Sequence, residues 1–341
     1  MISKQLDLIL GNICTNHVVH IPPEPIKTLK MNADGFFEAP IPTSHTGAQH
    51  VVARLLSPFR TNDMMGQCTT CFSTCSCKVQ PASDGIFFHM HGGGFISQTS
   101  KSHQTYLRQW ARYLNVPIFS IDYSLAPQAP YPRAQEEVFF AYNWMLQNFP
   151  SLGTTGKFIL VGGDSAGGNF AMGLTLKCLK SGIRPPDHLM LMYPSLLCEM
   201  YPSPSRLVCL FDPIVMFPFL LRCLNSYADK DYKATCPRTF VQELDGCKTY
   251  NDPLLSPLII PDDLLVKFPP VHLITTDIDP CLDEVVTMSN RLVDVGNKVT
   301  LEVLQGLPHG FLSLNAISKM AQETVDAIAE KIKLIFYPLT E

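Results

Sequence analysis

The stretch FILVGGDSAGGNFAMGLTLKCLKS, residues 158–181, decides the fold. An apolar run of strand length leads into GDSAG at 163–167, which fits the motif G-x-S-x-G, and a helical pattern follows. A sharp bend between strand and helix pushes the middle side chain into the open, so Ser165 is predicted to be an exposed nucleophile. Gly163 and Gly167 flank it because a Cβ would clash inside such a bend.

Predicted strands and helices alternate on both sides of this stretch. Apolar runs of strand length occupy 86–90, 116–122, 158–162, 189–193, 271–276 and 299–304. Helical patterns lie between and after them, at 102–114, 134–148, 167–181, 283–295 and 314–336. Apolar strands that alternate with amphipathic helices predict an α/β fold, in which helices cover both faces of a mostly parallel sheet.

A second motif, HGGGF at 91–95, follows the first of these strands. Attack on an acyl group builds an oxyanion, which backbone N–H groups aimed at one point can stabilise. Three glycines let the backbone approach a ligand closely, so the amides of Gly93 and Gly94 are candidate donors, together with the amide of Ala166. The alternative interpretation is a plain tight turn.

A third motif, PHGF at 308–311, follows the last predicted strand. A single histidine is often only a core residue, but His309 lies in a loop between that strand and the C-terminal helix. When a G-x-S-x-G serine sits on such a sheet, the catalytic order along the chain is Ser, acid, His, which makes His309 the candidate general base.

The acid should then follow the strand at 271–276, where three aspartates compete. Asp277 comes directly after the strand and is assigned to its end. Asp283 precedes a helical run and is predicted to be its N-cap. Asp279 lies between them in the turn, with Pro280 behind it, and is the favoured orienting acid for His309.

Composition narrows the class of protein. The chain has 341 residues, 46% of them hydrophobic and 16% charged, as in a soluble globular protein. A net charge of −4 argues against a nucleic-acid partner. No apolar run reaches the roughly 18 residues of a transmembrane helix, and the first residues do not have the pattern of a signal peptide, so we expect a cytoplasmic protein.

The cluster CTTCFSTCSC holds four of the 12 cysteines, Cys68, Cys71, Cys75 and Cys77. Close thiols can bind zinc, but zinc sites commonly place two pairs on separate turns, and no second half follows here. We therefore favour a polar loop and expect no metal.

The chain is predicted to have two parts. Residues 1–85 form an N-terminal cap remnant that ends in a polar, Cys-rich insertion at 58–85, and residues 86–341 form the main domain. Within that domain, residues 196–252 interrupt the strand–helix rhythm with prolines and apolar helical pieces, which predicts a helical lid.

The motifs together resemble those of the hormone-sensitive lipase family of α/β-hydrolases. The resemblance covers about residues 86–341 and is strongest over the block from 89 to 144. The other matching segments are GGDSAGGN, SPSRL followed by DP, NDPLLSP, IDPCLDE and LPHGFLSL. It implies the α/β-hydrolase fold and a serine ester hydrolase that cleaves acylglycerols, cholesteryl esters and other lipophilic esters, without a cofactor. It also suggests peripheral contact with a lipid droplet or membrane surface.

The resemblance also implies roles for individual residues. Ser165 matches the nucleophile, Asp279 the acid and His309 the base. The oxyanion donors match Gly93, Gly94 and Ala166. The supporting positions of the two motifs are His91 and Gly92, which shape the loop, and Asp164, which anchors the turn beside the nucleophile.

Three departures from the family and two rival functions remain. Only a short part precedes residue 86, and the 113 residues between Ser165 and Asp279 leave no room for the family's kinase-regulated insertion. Gln128 replaces the glutamate usual in SLAPQAPYP. The rivals are a short-chain carboxylesterase or arylacetamide-type deacetylase, and an inactive receptor of the same fold. The presence of both Ser165 and His309 argues against the receptor.

Overall fold

The computed structural model describes residues 13–32, 34–67, 79–199, 203–208, 212–228 and 252–338. Ten strands lie in these ranges: β1 Thr15–Ile21, β2 Ile26–Leu29, β3 Phe36–Ala39, β4 Val51–Ser57, β5 Ser83–Met90, β6 Ile118–Asp122, β7 Thr154–Asp164, β8 His188–Met192, β9 Val271–Thr276 and β10 Val299–Leu304. Eight of them form one sheet in the order β1-β4-β6-β5-β7-β8-β9-β10, and β2 pairs separately with β3.

The helices of the described residues are α1 Gln104–Leu114, α2 Arg133–Gln147, α3 Ala166–Ser181, α4 Pro204–Val208, α5 Phe217–Tyr227, α6 Asp262–Leu265, α7 Leu282–Asp294 and α8 Lys319–Phe336. Strands β5 to β10 run parallel to one another, and β4 is antiparallel to both of its neighbours, β1 and β6. All six apolar runs form strands, and β9 and β10 have the predicted bounds. The predicted α/β-hydrolase architecture, a mostly parallel sheet flanked by helices, is confirmed.

Successive side chains of a strand point to opposite faces of the sheet, and helices cover the central strands on both faces. In β5, Phe88 and Met90 join one apolar cluster with α2, α3 and α7, whereas Phe87 joins a second cluster with α1 and α8. The indole of Trp110 in α1 donates a hydrogen bond to the carbonyl of Val325 in α8 at 3.0 Å. Two apolar layers therefore hold the strands from both sides.

The N-terminal part of the chain joins this sheet. β4 pairs with β6, β1 pairs with β4, and β5 itself begins at Ser83. The predicted boundary between residues 85 and 86 thus runs through a strand and does not separate two units in the described residues. The sequence pattern does not reveal β4 as a core strand because Arg54 interrupts its apolar run to bind Asn16 and Ser100.

The predicted insertion at 58–85 is partly packed against the rest of the protein. Phe59 and Met64 are buried at its start. The cysteine cluster from Cys68 to Cys77 lies outside the described residues, so its assignment stays a prediction.

The excursion at 196–252 lies between β8 and β9, and its described parts include α4 and α5. A Cβ at Gly94 would lie 2.4 Å from the sulfur of Cys223 in α5, and the ring of Tyr227 stacks on Phe95 with centroids 4.0 Å apart. Helix α5 therefore covers the HGGG loop. Of the helices in the described ranges, none combines the length and the apolar character needed to cross a bilayer.

Candidate active site

Ser165 lies on a strained turn between β7 and α3. Its φ of 53° and ψ of −116° place it in a region that residues other than glycine rarely adopt. An ideal Cβ on Gly163 or Gly167 would come within 2.2 or 2.1 Å of the carbonyl oxygen of Met90 in β5. Glycine at both positions therefore lets the turn lie against the neighbouring strand.

The structure brings Ser165, His309 and Asp279 into one hydrogen-bonded chain. Nδ1 of His309 lies 2.9 Å from Oδ2 of Asp279, and Nε2 lies 2.8 Å from Oγ of Ser165. A carboxylate only accepts, so the proton of a neutral imidazole is assigned to Nδ1, and Nε2 is free to accept from the serine hydroxyl. This tautomer can take a proton from Ser165.

The turn after β9 holds Asp279 in place. Its second oxygen, Oδ1, accepts the amide N–H of Cys281 at 2.6 Å, and its own amide donates to the carbonyl of Thr276 at 3.3 Å. The Asp279 side chain is fully buried, and His309 is 5% exposed. Because β7, β9 and β10 are parallel, the loops after them meet at one edge of the sheet, although Ser165 and His309 are 144 positions apart.

His309 is electrostatically suited to gain a proton. Burial lowers the pKa of its imidazole, but the charge of Asp279 and its hydrogen bond outweigh burial, with further help from Asp212 and Asp164. The net result is a pKa above the ordinary value of 6.5. An imidazolium formed in this site is therefore stabilised.

Side-chain and backbone hydrogen bonds shape the HGGG loop. The amides of Ile96 and Ser97 and the hydroxyl of Ser97 all donate to the carbonyl of Gly93, at 3.2, 3.1 and 2.9 Å. His91 Nδ1 bonds the carbonyl of Gly92 at 2.7 Å. The N–H of a trans peptide points away from its C=O, so these bonds aim the amides of Gly93 and Gly94 the other way.

Those two amides and the amide of Ala166 donate to no acceptor in the described part of the chain. Each is therefore available to a ligand, and the oxyanion hole that the sequence predicts from these amides stays a prediction. The ring of His91 stacks on Tyr123 with centroids 4.1 Å apart, and the Tyr123 hydroxyl donates to the carbonyl of His91 at 2.8 Å. These contacts are consistent with the expected role of His91, which is to hold the conformation of the loop.

Asp164 ties the HGGG loop to the nucleophile turn. Its Oδ1 accepts the amide of Gly92 at 3.0 Å and the hydroxyl of Tyr106 at 3.1 Å, and lies 3.2 Å from Nε2 of His103. Burial alone would raise the pKa of this carboxyl, but His103, with support from His89 and Tyr106, holds it well below its usual range. Its negative charge therefore persists beneath the loop.

Sequence reasoning missed three residues that contact this site. They are His103 beside Asp164, Tyr193, whose ring lies 4.9 Å from that of His309, and Asp212, which accepts the amide N–H of His309 at 2.9 Å. Asp212 and His103 both lie in segments that carry the family resemblance, the DP pair and the block from 89 to 144, but no role was predicted for either of them.

The two competing aspartates bind partners outside the hydrogen-bonded chain. Asp277 follows the strand, as predicted, and accepts the amide of Gly306 at 2.9 Å. Asp283 is not the N-cap of α7, because the N-cap is Cys281. Asp283 instead lies in the first turn of α7 and accepts the amide of Ser205 at 2.8 Å. Gln128 is exposed.

Among the described residues, a possible set of metal ligands comprises Asp279, Cys281 and His309, whose ligand atoms lie within 4.8 Å of one another. Their chemistry does not suit a metal. The carboxylate and the Nδ1 of His309 already bond each other, and burial raises the pKa of the Cys281 thiol well above its usual value. We therefore assign Asp279 and His309 to the hydrogen-bonded chain and not to a metal site.

Comparisons with curated proteins identify relatives of this chain. It is 28% identical to hormone-sensitive lipase of Mus musculus and 26% identical to that of Homo sapiens, and each alignment covers 99% of this chain. The chain spans 66% of the mouse protein and 47% of the human protein. The mouse alignment runs over 506 positions against 341 residues here, so the mouse protein contains inserted segments that this chain lacks.

Two further comparisons concern the fold. Carboxyl esterase 2 from the mycorrhizal fungus Tuber melanosporum matches with a TM-score of 0.73 at 21% identity, over 96% of this chain and 89% of that chain. A family model described as the alpha/beta hydrolase fold matches residues 87–313, which run from β5 through the loop that carries His309. Together with the relatives above, this match shows that the chain belongs to the hormone-sensitive lipase family of α/β-hydrolases.

Proposed function

We propose that this protein is a serine carboxylic-ester hydrolase that works through an acyl-enzyme on Ser165. The observation that carries the proposal is the bond of 2.8 Å between the Ser165 hydroxyl and Nε2 of a histidine that Asp279 orients. A receptor that only binds a ligand would need neither this contact nor three amides without protein acceptors.

In the first step, the hydroxyl oxygen of Ser165 attacks the ester carbonyl while its proton passes to Nε2 of His309. The amides of Gly93, Gly94 and Ala166 donate to the oxyanion that forms. The bond to the alcohol then breaks, and the alcohol leaves with the proton from His309. Water then attacks the acyl-enzyme and gives a proton to Nε2 of His309. The carboxylic acid leaves, and His309 returns the proton to the oxygen of Ser165.

The proposed substrates are acylglycerols, cholesteryl esters and other lipophilic esters, and the proposed setting is lipid breakdown in the cytoplasm, at the surface of lipid droplets. The relatives named hormone-sensitive lipase support this substrate class. A second support is apolar side chains exposed on the segments between β8 and β9, which we propose to act as a lid: Leu207, Ile214, Met216, Phe217 and Phe219.

A short-chain carboxylesterase is the second candidate function. The observation in its favour is that the described fold matches a fungal carboxyl esterase almost from end to end. Hydrolysis of a soluble short ester and of an emulsified long one separates the two functions.

The test is a hydrolysis panel from acetyl to oleoyl esters, with emulsified diacylglycerol and cholesteryl ester added. For a lipase we expect turnover to persist on the long and emulsified substrates, whereas for a short-chain esterase it should fall away beyond about six carbons. Ser165→Ala should fold normally and lose at least ~1000-fold of its activity. A fluorophosphonate probe that still labels Ser165→Ala would refute the assignment of the nucleophile.

A further inference from the structure

Asp212 links the lid to the loop that carries His309. It lies between α4 and α5 and is 2% exposed. Its Oδ1 accepts the amides of Ile214 and Val215 at 2.7 and 2.6 Å, and its Oδ2 accepts the amide of His309 at 2.9 Å. One carboxylate thus closes a turn of the lid and holds the backbone of a residue 97 positions away.

The carboxylate of Asp212 also belongs to the electrostatic surroundings of the His309 ring. The titratable groups that face this ring come from the turn after β9, the lid, the end of β7 and the segment after β8: Asp279, Cys281, Asp212, Asp164 and Tyr193. Three of them are carboxyl groups. Of these carboxyl groups Asp279 alone bonds the ring, and the buried Asp212 adds a further negative charge.

We propose that Asp212 is a second positioning carboxylate for the general base. It fixes the backbone of His309, and its charge stabilises the imidazolium that forms when Nε2 takes the proton of Ser165. The inference rests on the proposed ester hydrolase. Asp212 takes no proton in this scheme, because both of its oxygens stay acceptors of backbone amides.

This arrangement makes the base depend on the lid. Asp279 lies in the turn after β9, outside the lid, although Ser205 of the lid donates a hydrogen bond to the carbonyl of the adjacent Pro280. Asp212 can hold His309 only while the segment between α4 and α5 is seated on the loop. The base is therefore fully supported only when this part of the lid is in place.

The test measures kcat and kcat/KM against pH for Asp212→Asn, with the soluble substrate p-nitrophenyl butyrate. The acidic limb of kcat/KM reports the protonation of His309, which must be neutral to accept a proton. Without the charge of Asp212 the imidazolium is less stable, so we expect the limb to move to lower pH by about half a unit and kcat to fall about 3- to 10-fold.

Asp277→Asn is the matched control. Asp277 accepts a backbone amide in the same loop, from Gly306, but it is exposed and makes no contact with His309. We expect this variant to keep the wild-type acidic limb. Asp212→Glu keeps the charge, so its limb should also stay in place even if kcat falls.

The proposal would be overturned if the acidic limb of Asp212→Asn coincided with the limbs of the wild type and of Asp277→Asn. Asp212 would then have a purely structural role. If the asparagine variant does not fold, Asp212→Ser replaces it with the same expected shift. Failure of the proposed function would look different, since wild-type hydrolysis would then persist in Ser165→Ala.

Discussion

The guanidinium of Arg206 lies 3.0 Å from the carboxylate of Glu284, and the two side chains are only 3% and 5% exposed. Glu284 also accepts the amide of Leu196 at 2.8 Å, and Arg206 donates to the carbonyl of Leu197 at 2.7 Å. The pair therefore joins the start of the lid to α7, the helix that follows the turn of Asp279. One buried ion pair thus connects the lid to the helix next to the turn of Asp279.

We predict that Arg206→Met lowers the free energy of unfolding by about 3–5 kcal/mol, because it leaves the charge of Glu284 buried without its partner. The double variant Arg206→Met with Glu284→Gln should recover part of this loss. Urea unfolding at pH 7 measures both. The exposed pair of Lys319 and Glu323 is the control, and Lys319→Met should change stability by less than about 0.5 kcal/mol. Equal effects at the two sites would contradict the prediction.

The two aspartates of IDPCLDE should differ sharply. We expect Asp279→Asn to keep the fold and lose activity on the order of 10⁴-fold, because the amide no longer selects the correct tautomer of His309. Asp283→Asn should leave turnover within a few-fold and lower the melting temperature slightly, because Asp283 only holds the amide of Ser205. Steady-state kinetics and thermal melts distinguish the pair, and the reverse pattern would disprove our assignment of the acid.

Acid should destabilise the protein already below about pH 6.5, the pKa of an unfolded histidine. Burial, followed by neighbouring histidines, lowers the pKa of His89 to about 3 and those of His91 and His272 to about 4. As the pH falls from about 6.5 to about 4, these histidines therefore become protonated in the unfolded chain but stay neutral in the folded one. The raised pKa of His309 acts in the opposite direction, but burial also lowers the pKa values of His17 and His188, which add to the effect of the first three.

We accordingly expect the urea midpoint to fall steadily between pH 6.5 and about 4. His272→Gln should flatten this dependence, because the unfolded variant has one proton fewer to gain. A matched substitution of the exposed His50 should leave the slope as in the wild type. A midpoint that is constant over this range would count against the burial of neutral histidines.

The exposed apolar side chains of the lid should matter only at an interface. We predict that Met216→Ser with Phe219→Ser lowers activity on emulsified lipid at least about fivefold, because apolar area that would enter the lipid is lost. Activity on soluble p-nitrophenyl butyrate should stay within about twofold. Leu334→Ser is the control, since Leu334 is 51% exposed in α8, away from the lid. Equal losses on both substrates would mean that these residues serve the fold.

A cyclic-AMP-dependent kinase should not activate this protein. The best local candidate, Ser57 in RLLS, is fully buried in β4 and donates its hydroxyl to the carbonyl of Phe59 at 2.9 Å. A kinase cannot reach it without unfolding the strand. Incubation with kinase and ATP, followed by an assay on emulsified lipid, should show no change. A severalfold activation that disappears in Ser57→Ala would prove this wrong.

The fold was largely predictable because its central strands are continuous apolar runs. Strands buried on both faces need no polar residues, so β9 could be bounded from its apolar run. β10 is a partly exposed edge strand, and its bounds followed instead from its run of Val, Thr and Leu. β1 and β4 could not, because strands toward the sheet edge carry polar side chains such as Arg54 that find partners only in the folded state.

The site was predictable where its chemistry is local. The turn around Ser165 needs glycines at fixed spacing, and the position of His309 follows from the order of strands. His103 and Asp212 escaped prediction because their partners, Asp164 and His309, lie 61 and 97 positions away. Unlike Ser165 and His309, which lie in short motifs, these two side chains have no local spacing that indicates their partners.

The place of β10 in the sheet has a consequence for how the protein would be inactivated. Within the described residues β10 pairs with β9 alone, and its Leu301 and Val303 are 37% and 43% exposed. A strand with one neighbour frays at a lower free energy than the central β7, which carries Ser165. His309 follows this edge strand, so we expect mild heating or denaturant to abolish activity before the central strands unfold.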